Sequence, residues 1–347
     1  MRLTLGLRAR STGLPDLLGS VAATAEVVDG FWTVATPDFD PFVIASQAWS
    51  TARASGASAP TTGIGVLPIA DWTVTAAATA AATVSTLQGG GFRLGIGAGR
   101  VDSPAWRAAR GLADDLRPAT VVAESLTALR ALLSGAAATV HGQFVRLEGV
   151  SIETTPPPVD LYVGAAGPAM LSVAGRLADG VLCSALAPED LDHVRAVLLE
   201  ARTRSDLARP VEVALSLPVV LDDEDPAGAR AALVAGSAPL ALGVPGLAPT
   251  RGFPGQLRRL GLGEELDALQ AAVHAGGGPA DLSRAVSDDL VGRLGAAGSV
   301  ADVAARLASY AGAADELNLT FPQGLDPQAL ADLLERTRSL LASRPAD

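Results

Sequence analysis

Eight short strand-like runs alternate with helix-like segments along the whole chain, and this alternation leaves few folds open. The runs fall at 3–7, 31–35, 62–67, 92–96, 160–163, 180–183, 211–221 and 316–320. Amphipathic or alanine-rich segments lie near 14–29, 40–54, 72–88, 118–135, 168–178, 188–204, 226–236, 255–275, 299–313 and 327–343. Strands separated by helices cannot pair as hairpins, so they pair in parallel. Eight of them predict a closed barrel rather than an open, doubly wound sheet. The expected architecture is α/β: a (β/α)8 TIM barrel forming a single domain over 1–347.

Two stretches interrupt the alternation. Residues 138–151 alternate and turn, which predicts a short hairpin outside the barrel. Residues 236–278 are rich in Gly and Pro and add at least one helix between the seventh and eighth strands. They belong to the face where barrel loops build sites, and both a lid and a plain surface excursion remain open.

Composition narrows the chemistry. All 26 basic residues are arginine, so Schiff-base chemistry and a P-loop lysine are excluded. The net charge of −11 argues against a general binder of nucleic acid or anionic membrane. Cys183 is the single cysteine, which rules out an intrachain disulfide. The start of the chain has too short an apolar run for a signal peptide, and 76–87 suits a buried helix better than a membrane span. A cytoplasmic protein acting on a small molecule is the expectation.

The most telling motif is Leu161-Tyr-Val-Gly-Ala-Ala-Gly-Pro-Ala-Met170. It reads as a buried strand, a tight turn and a helix with Pro168 in its first turn. Gly164 and Gly167 allow close backbone approach, and the free N–H groups at the helix start suit a phosphate. Gly95-Ile-Gly-Ala-Gly-Arg100 has G-x-G but lacks the third glycine and the acidic ribose partner of a dinucleotide fingerprint. By itself it reads as a tight strand-to-helix turn. Residues following the strands are otherwise small, apolar or hydroxylic, which suits a flat, partly apolar cofactor better than hydrolysis. Arg100 is the one strong charge among them, and its plain reading is a surface arginine paired with Asp102.

His141, His193 and His274 have no metal-like spacing, so no metal site is expected. Asp222–Asp225 reads as a solvated loop ahead of a helix, and Cys183 as a packed thiol.

Several stretches, in order, resemble the bacterial luciferase-like flavin and deazaflavin oxidoreductases. They are Phe92-Arg-Leu-Gly-Ile-Gly-Ala-Gly-Arg100, Asp115-Leu-Arg-Pro118 with Glu124, and His141-Gly-Gln-Phe144. Val163-Gly-Ala-Ala-Gly-Pro-Ala-Met170 is the most specific, followed by Ala178-Asp-Gly-Val181, Val286–Val291 and Gly298–Ala304. The resemblance implies a TIM barrel. Its Gly-Ala-Ala-Gly-Pro turn leans to the branch that uses coenzyme F-420, a deazaflavin, and FMN is the alternative. It implies that Gly164, Ala165, Ala166, Gly167 and Pro168 hold the cofactor phosphate, and that Gly97 and Ala98 lie by the cofactor. It also implies a cis peptide bulge at Ile64–Gly65 against the ring. Relatives are often dimers, and helices near 40–54 and 72–88 would supply the face of a homodimer.

The implied activity is hydride transfer between F-420 and a small organic substrate. Arg100 would clamp an anionic group or developing negative charge, and Thr36 or Thr320 would hydrogen-bond the substrate. The alternatives are an FMN-dependent monooxygenase and a barrel that binds a flavin without catalysis. Two departures bear on this choice. Ala35-Thr36 stands where many relatives have Asp-His, and Arg100 where the sugar-phosphate dehydrogenases carry glutamate.

Overall fold

The computed structural model describes residues 1–8, 13–243, 248–322 and 326–342. Its centre is a closed barrel of eight parallel strands: β1 (Arg2–Leu7), β2 (Gly30–Thr33), β3 (Thr61–Pro68), β4 (Phe92–Gly97), β5 (Val159–Gly164), β6 (Gly180–Ser184), β7 (Glu212–Leu221) and β8 (Glu316–Thr320). Each pairs with its neighbour in sequence, β8 pairs with β1, and the ring is complete. A three-residue strand, Ala296–Gly298, extends the sheet beside the end of β7.

Alternation along the strands sorts the side chains. In β4, Phe92, Leu94 and Ile96 join the apolar core under the helices, while Arg93, Gly95 and Gly97 face the barrel axis. The outer face is covered by helices with small buried residues, such as Ala77, Ala78 and Ala81 on Val74–Gln88, which allow close packing on the sheet. The hairpin is present outside the barrel, as Ala138–His141 paired with Arg146–Val150. Glu124 fastens it: its carboxylate accepts the N–H groups of Gln143, Phe144 and Val145 at 2.8–2.9 Å.

The sequence expectations for several helices need correction. The first helix ends at Thr24, and the segment expected at 226–236 runs on to Leu242 through Pro239. The segment expected at 255–275 is two helices, Gly252–Arg259 and Gly263–His274, broken at Gly261 with φ 89°. Two further helices, Pro279–Arg284 and Asp288–Leu294, close the excursion. Residues 244–247 of the excursion, 9–10 after the first strand and 343 at the end of the last helix lie outside the described residues.

The excursion has its own apolar core, built from Leu233, Val234, Leu257, Leu266, Leu269, Leu290 and Leu294 and reached from the barrel by Ala185. Arg293, 6% exposed, makes a two-pronged ion pair with Asp190 at 2.9 and 3.1 Å. That pair anchors the excursion to the helix Pro188–Arg202, which follows β6.

Candidate functional site

The lower half of the barrel interior is filled and electrostatically closed. Glu316 is fully buried and accepts from Arg93 Nη1 at 2.5 Å, Arg2 Nε at 3.0 Å, Trp32 Nε1 at 2.5 Å and Thr4 Oγ1 at 2.9 Å. Burial alone would raise the Glu316 carboxyl, but Arg93, Trp32, Arg2 and Thr4 outweigh it and hold it below the usual carboxylate range. Trp32 packs edge-on to Tyr162, 5.2 Å between ring centres, and Arg93 stacks over its face at 4.3 Å. This layer is a plug that seals one end of the barrel.

Above the plug, at the C-terminal ends of the strands, the interior opens. The inward positions Gly6, Gly65, Gly164, Ser184, Ser216 and Thr320 are only half-buried, although they face the axis. On the β3–β5 side the wall is glycine and one valine. A Cβ on Gly95, Gly97 or Gly164 would stand 3.1, 2.9 or 3.2 Å from a methyl of Val66. Val66 is carried inward by an extra residue in β3, where pairing with β4 shifts between Ile64 and Leu67. The non-proline cis peptide lies inside this bulge at Gly65–Val66. The sequence expectation of Ile64–Gly65 is therefore one residue early: Ile64 still pairs regularly with Leu94 and is buried in the outer core, and the irregular ladder begins after it.

The turn after β5 leads into a helix as expected, and it leaves most but not all of its N–H groups free. Pro168 opens the helix Pro168–Leu177, and Gly167 precedes it with no side-chain cap. The Ala165 N–H donates to the Leu182 carbonyl at 3.2 Å and is not free. The N–H groups of Ala166, Gly167, Ala169 and Met170 have no partner among the described residues. They cluster at a helix start, where an anion is favoured.

The excursion supplies residues that sequence reasoning missed. Arg259 Nη2 donates to the Ala166 carbonyl at 2.8 Å, so a guanidinium sits on the edge of this turn. Gln256 Nε2 donates to the carbonyls of Ser184 and Ala185 at 2.8 and 2.9 Å. Arg251 pairs with Asp102 in the turn after β4. The segment thus docks on the loops after β4, β5 and β6 and walls one side of the mouth. The expected Arg100–Asp102 pair is not formed, because Asp102 is taken by Arg251. Arg100 is exposed, and its guanidinium has no partner among the described residues.

Thr36 lies beyond β2, half-buried, with its Oγ1 buried and unpartnered; Asn318 Oδ1 is in the same condition. Gly97 ends β4 and Ala98 follows it at the rim. Cys183 is packed, and burial pushes its thiol up to about 12. Among the described residues no cluster of His, Cys, Asp or Glu suits a metal, and no helix is long and apolar enough to cross a membrane.

A sequence model of the luciferase-like monooxygenases matches residues 19–316. The chain belongs to that family. Among curated relatives, a 5,10-methylenetetrahydromethanopterin reductase of Methanolobus tindarius is 31% identical over 175 residues, 48% of this chain and 52% of its own. The corresponding reductase of Archaeoglobus fulgidus is 28% identical over 236 residues, 66% of this chain and 67% of its own. An F420-dependent glucose-6-phosphate dehydrogenase of Mycobacterium avium is 28% identical, over 49% of this chain and 54% of its own. The alignments with these relatives therefore span about half to two thirds of the relatives' length. The fold agrees over nearly the full chain with the coenzyme F420-dependent tetrahydromethanopterin reductase of Methanopyrus kandleri. The TM-score is 0.73 at 20% identity, covering 97% of this chain and 98% of the other. An F420-dependent secondary alcohol dehydrogenase in complex with an F420–acetone adduct has a TM-score of 0.67 at 16% identity, covering 98% of each chain. At these identities the likeness establishes the barrel fold alone.

Proposed function

We propose that the protein is an oxidoreductase dependent on coenzyme F-420 that transfers a hydride between the deazaflavin and a small organic substrate. The observation that carries this reading is the turn after β5: N–H groups of Ala166, Gly167, Ala169 and Met170 that have no partner among the described residues, with the Arg259 guanidinium beside them, next to a wall of half-buried small residues backed by Val66. The names of the curated relatives favour the deazaflavin over FMN.

The cofactor, when bound, supplies the two-electron chemistry. The protein's part is placement. This cradle of N–H groups and Arg259 would hold the phosphate, with Gly164 and Gly167 leaving the backbone accessible. Val66, presented by the bulge at Gly65, would back one face of the ring, and Gly97 and Ala98 would leave the space that a flat ring needs. The Trp32–Glu316–Arg93 plug closes the barrel below and keeps water from entering there. Thr320, or the buried Oγ1 of Thr36, unpartnered among the described residues, would hydrogen-bond a substrate oxygen. Arg100, at the rim, would meet an anionic substrate group outside the ring pocket. The helix Gly252–Arg259 of the excursion would act as a side wall of the substrate pocket. A homodimer is part of the proposal: Val43 and Leu87, each 64% exposed, lie on the helices Pro41–Ala54 and Val74–Gln88.

The test is a single-turnover experiment with reduced F-420 and a panel of ketones, aldehydes and imines, in argon and in air. Oxidation of the cofactor that requires substrate and not oxygen supports the reading. Turnover that occurs only with reduced FMN and consumes oxygen replaces it with the monooxygenase alternative.

A further inference from the structure

The β6–β8 side of the mouth differs in kind from the glycine side. Ser184, Ser216 and Asn318 stand at one level on three adjacent strands: Ser184 is in register with Ser216, and Ser216 with Asn318. All three share the inward parity of Leu182, Ala214 and Glu316, which pack inside the barrel. None of their side chains has a hydrogen-bond partner among the described residues. Asn318 is 2% exposed. Its amide lies across Gly6, where a Cβ would come within 3.1 Å of Oδ1 and 3.3 Å of Nδ2. The Asn318 Oδ1 is buried with no partner among the described residues; such an acceptor is costly in the free protein, and such groups persist where a ligand completes them.

We propose that Ser184, Ser216 and Asn318 form a hydrogen-bonding wall for the amide edge of the cofactor ring, the carbonyl–NH–carbonyl end of its pyrimidinedione. The inference rests on the deazaflavin reading above and adds the residues that orient the ring. A ligand anchored by phosphate at the β5 cradle and lying along this side of the mouth passes β6, and its far end arrives at β7 and β8, two and three strands round from the anchor. An edge that alternates acceptor, donor and acceptor matches a carboxamide, which offers both, and hydroxyls, which adapt; a carboxylate or guanidinium would satisfy only half of it. The opposite wall, Gly95, Gly97 and Gly164 with Val66, has no side chain that makes hydrogen bonds and serves the ring face.

The experiment is a fluorescence titration of the full-length protein, Asn318→Leu and Ser216→Ala with F-420, beside thermal unfolding of each without cofactor. Asn318→Leu removes the buried Oδ1, unpartnered among the described residues, at nearly constant volume. It is expected to raise the cofactor-free midpoint by about 2–5 °C and to weaken F-420 binding about tenfold. Ser216→Ala, at a half-buried site, is expected to weaken binding about threefold without changing the midpoint, and it decides the matter if Asn318→Leu does not fold. Binding by the folded variants within twofold of the unaltered protein overturns the proposal, as does a change confined to substrate KM. Failure of the unaltered protein to bind F-420 sinks the deazaflavin reading, and this proposal with it.

Discussion

Arg259 donates from Nη2 to the carbonyl oxygen of Ala166, 2.8 Å away, and so places a charge from the excursion on the lip of the β5 turn. The two residues are 93 positions apart in sequence. The arginine is exposed, and its removal leaves no buried group unpaired. Arg259→Ala is therefore expected to leave the unfolding midpoint unchanged and to weaken cofactor binding about tenfold, with less salt dependence than the unaltered protein. Titrations at two ionic strengths check it. Unchanged affinity would remove Arg259 from the phosphate site.

Val66 and Gly97 form a second pair whose spacing is testable. A Cβ on Gly97 would lie 2.9 Å from Val66 Cγ2, closer than real contacts allow. Gly97→Ala is expected to cost about 1–3 kcal/mol in urea unfolding, with weaker ring binding as Val66 is displaced. Val66→Ala gives the new methyl room. The double variant is expected to recover most of the Gly97→Ala loss, and the coupling in the double-mutant cycle measures the contact.

The plug below the mouth gives a pH-dependent expectation. The Glu316 carboxyl is held below its ordinary range in the folded protein, so its ionised form binds the fold better than it binds the unfolded chain. Its contribution is present in full above the unfolded carboxylate value of about 4.3 and is lost as the pH falls through the lower folded value. Glu316→Gln leaves Arg93 buried without its counter-charge and is expected to cost about 3–5 kcal/mol at neutral pH. The gap to the unaltered protein should narrow in acid. Urea midpoints across pH 7 to 3 test this, and a constant gap would contradict the assignment.

The docking of the excursion depends on Arg293 and Asp190, both buried and joined through two bonds at 2.9 and 3.1 Å. Asp190→Ala is expected to raise hydrogen exchange in Gly252–Arg259 and Asp288–Leu294 well before global unfolding, because Arg293 is then left buried without its two-pronged partner and the second apolar core keeps only its Ala185 and Gln256 attachments to the end of β6. Equal protection in both proteins would show that the apolar core suffices.

The barrel was legible because parallel strands buried on both sides leave short apolar runs that stand out between helices. The cradle was legible because a strand, Gly164-Ala-Ala-Gly167 and Pro168 announce a turn with free N–H groups. What sequence did not reveal are pairings across long separations. Glu316 and Arg93 are 223 positions apart, and Gln256 reaches back 72 to Ser184. A signal did exist for the plug: opposite charges, Arg93 and Glu316, stand inside two buried strands, β4 and β8, where only mutual neutralisation makes burial tolerable. For Asn318 the signal was a lone amide between Leu317 and Leu319, and its inward direction depended on the barrel's register. The cis peptide lies one residue beyond the expected Ile64–Gly65, inside the bulge where β3 carries an extra residue against β4, a local irregularity with no mark of its own in the sequence.

The most direct measurement is an equilibrium titration of the purified protein with F-420 and, separately, with FMN, followed by cofactor fluorescence and repeated on Gly167→Val, which sets a branched side chain against the cradle and Arg259. The expected result is saturable binding of F-420, much weaker binding of FMN, and loss of F-420 binding in a variant that still folds. Preference for FMN, binding of neither, or full affinity in Gly167→Val would contradict the account.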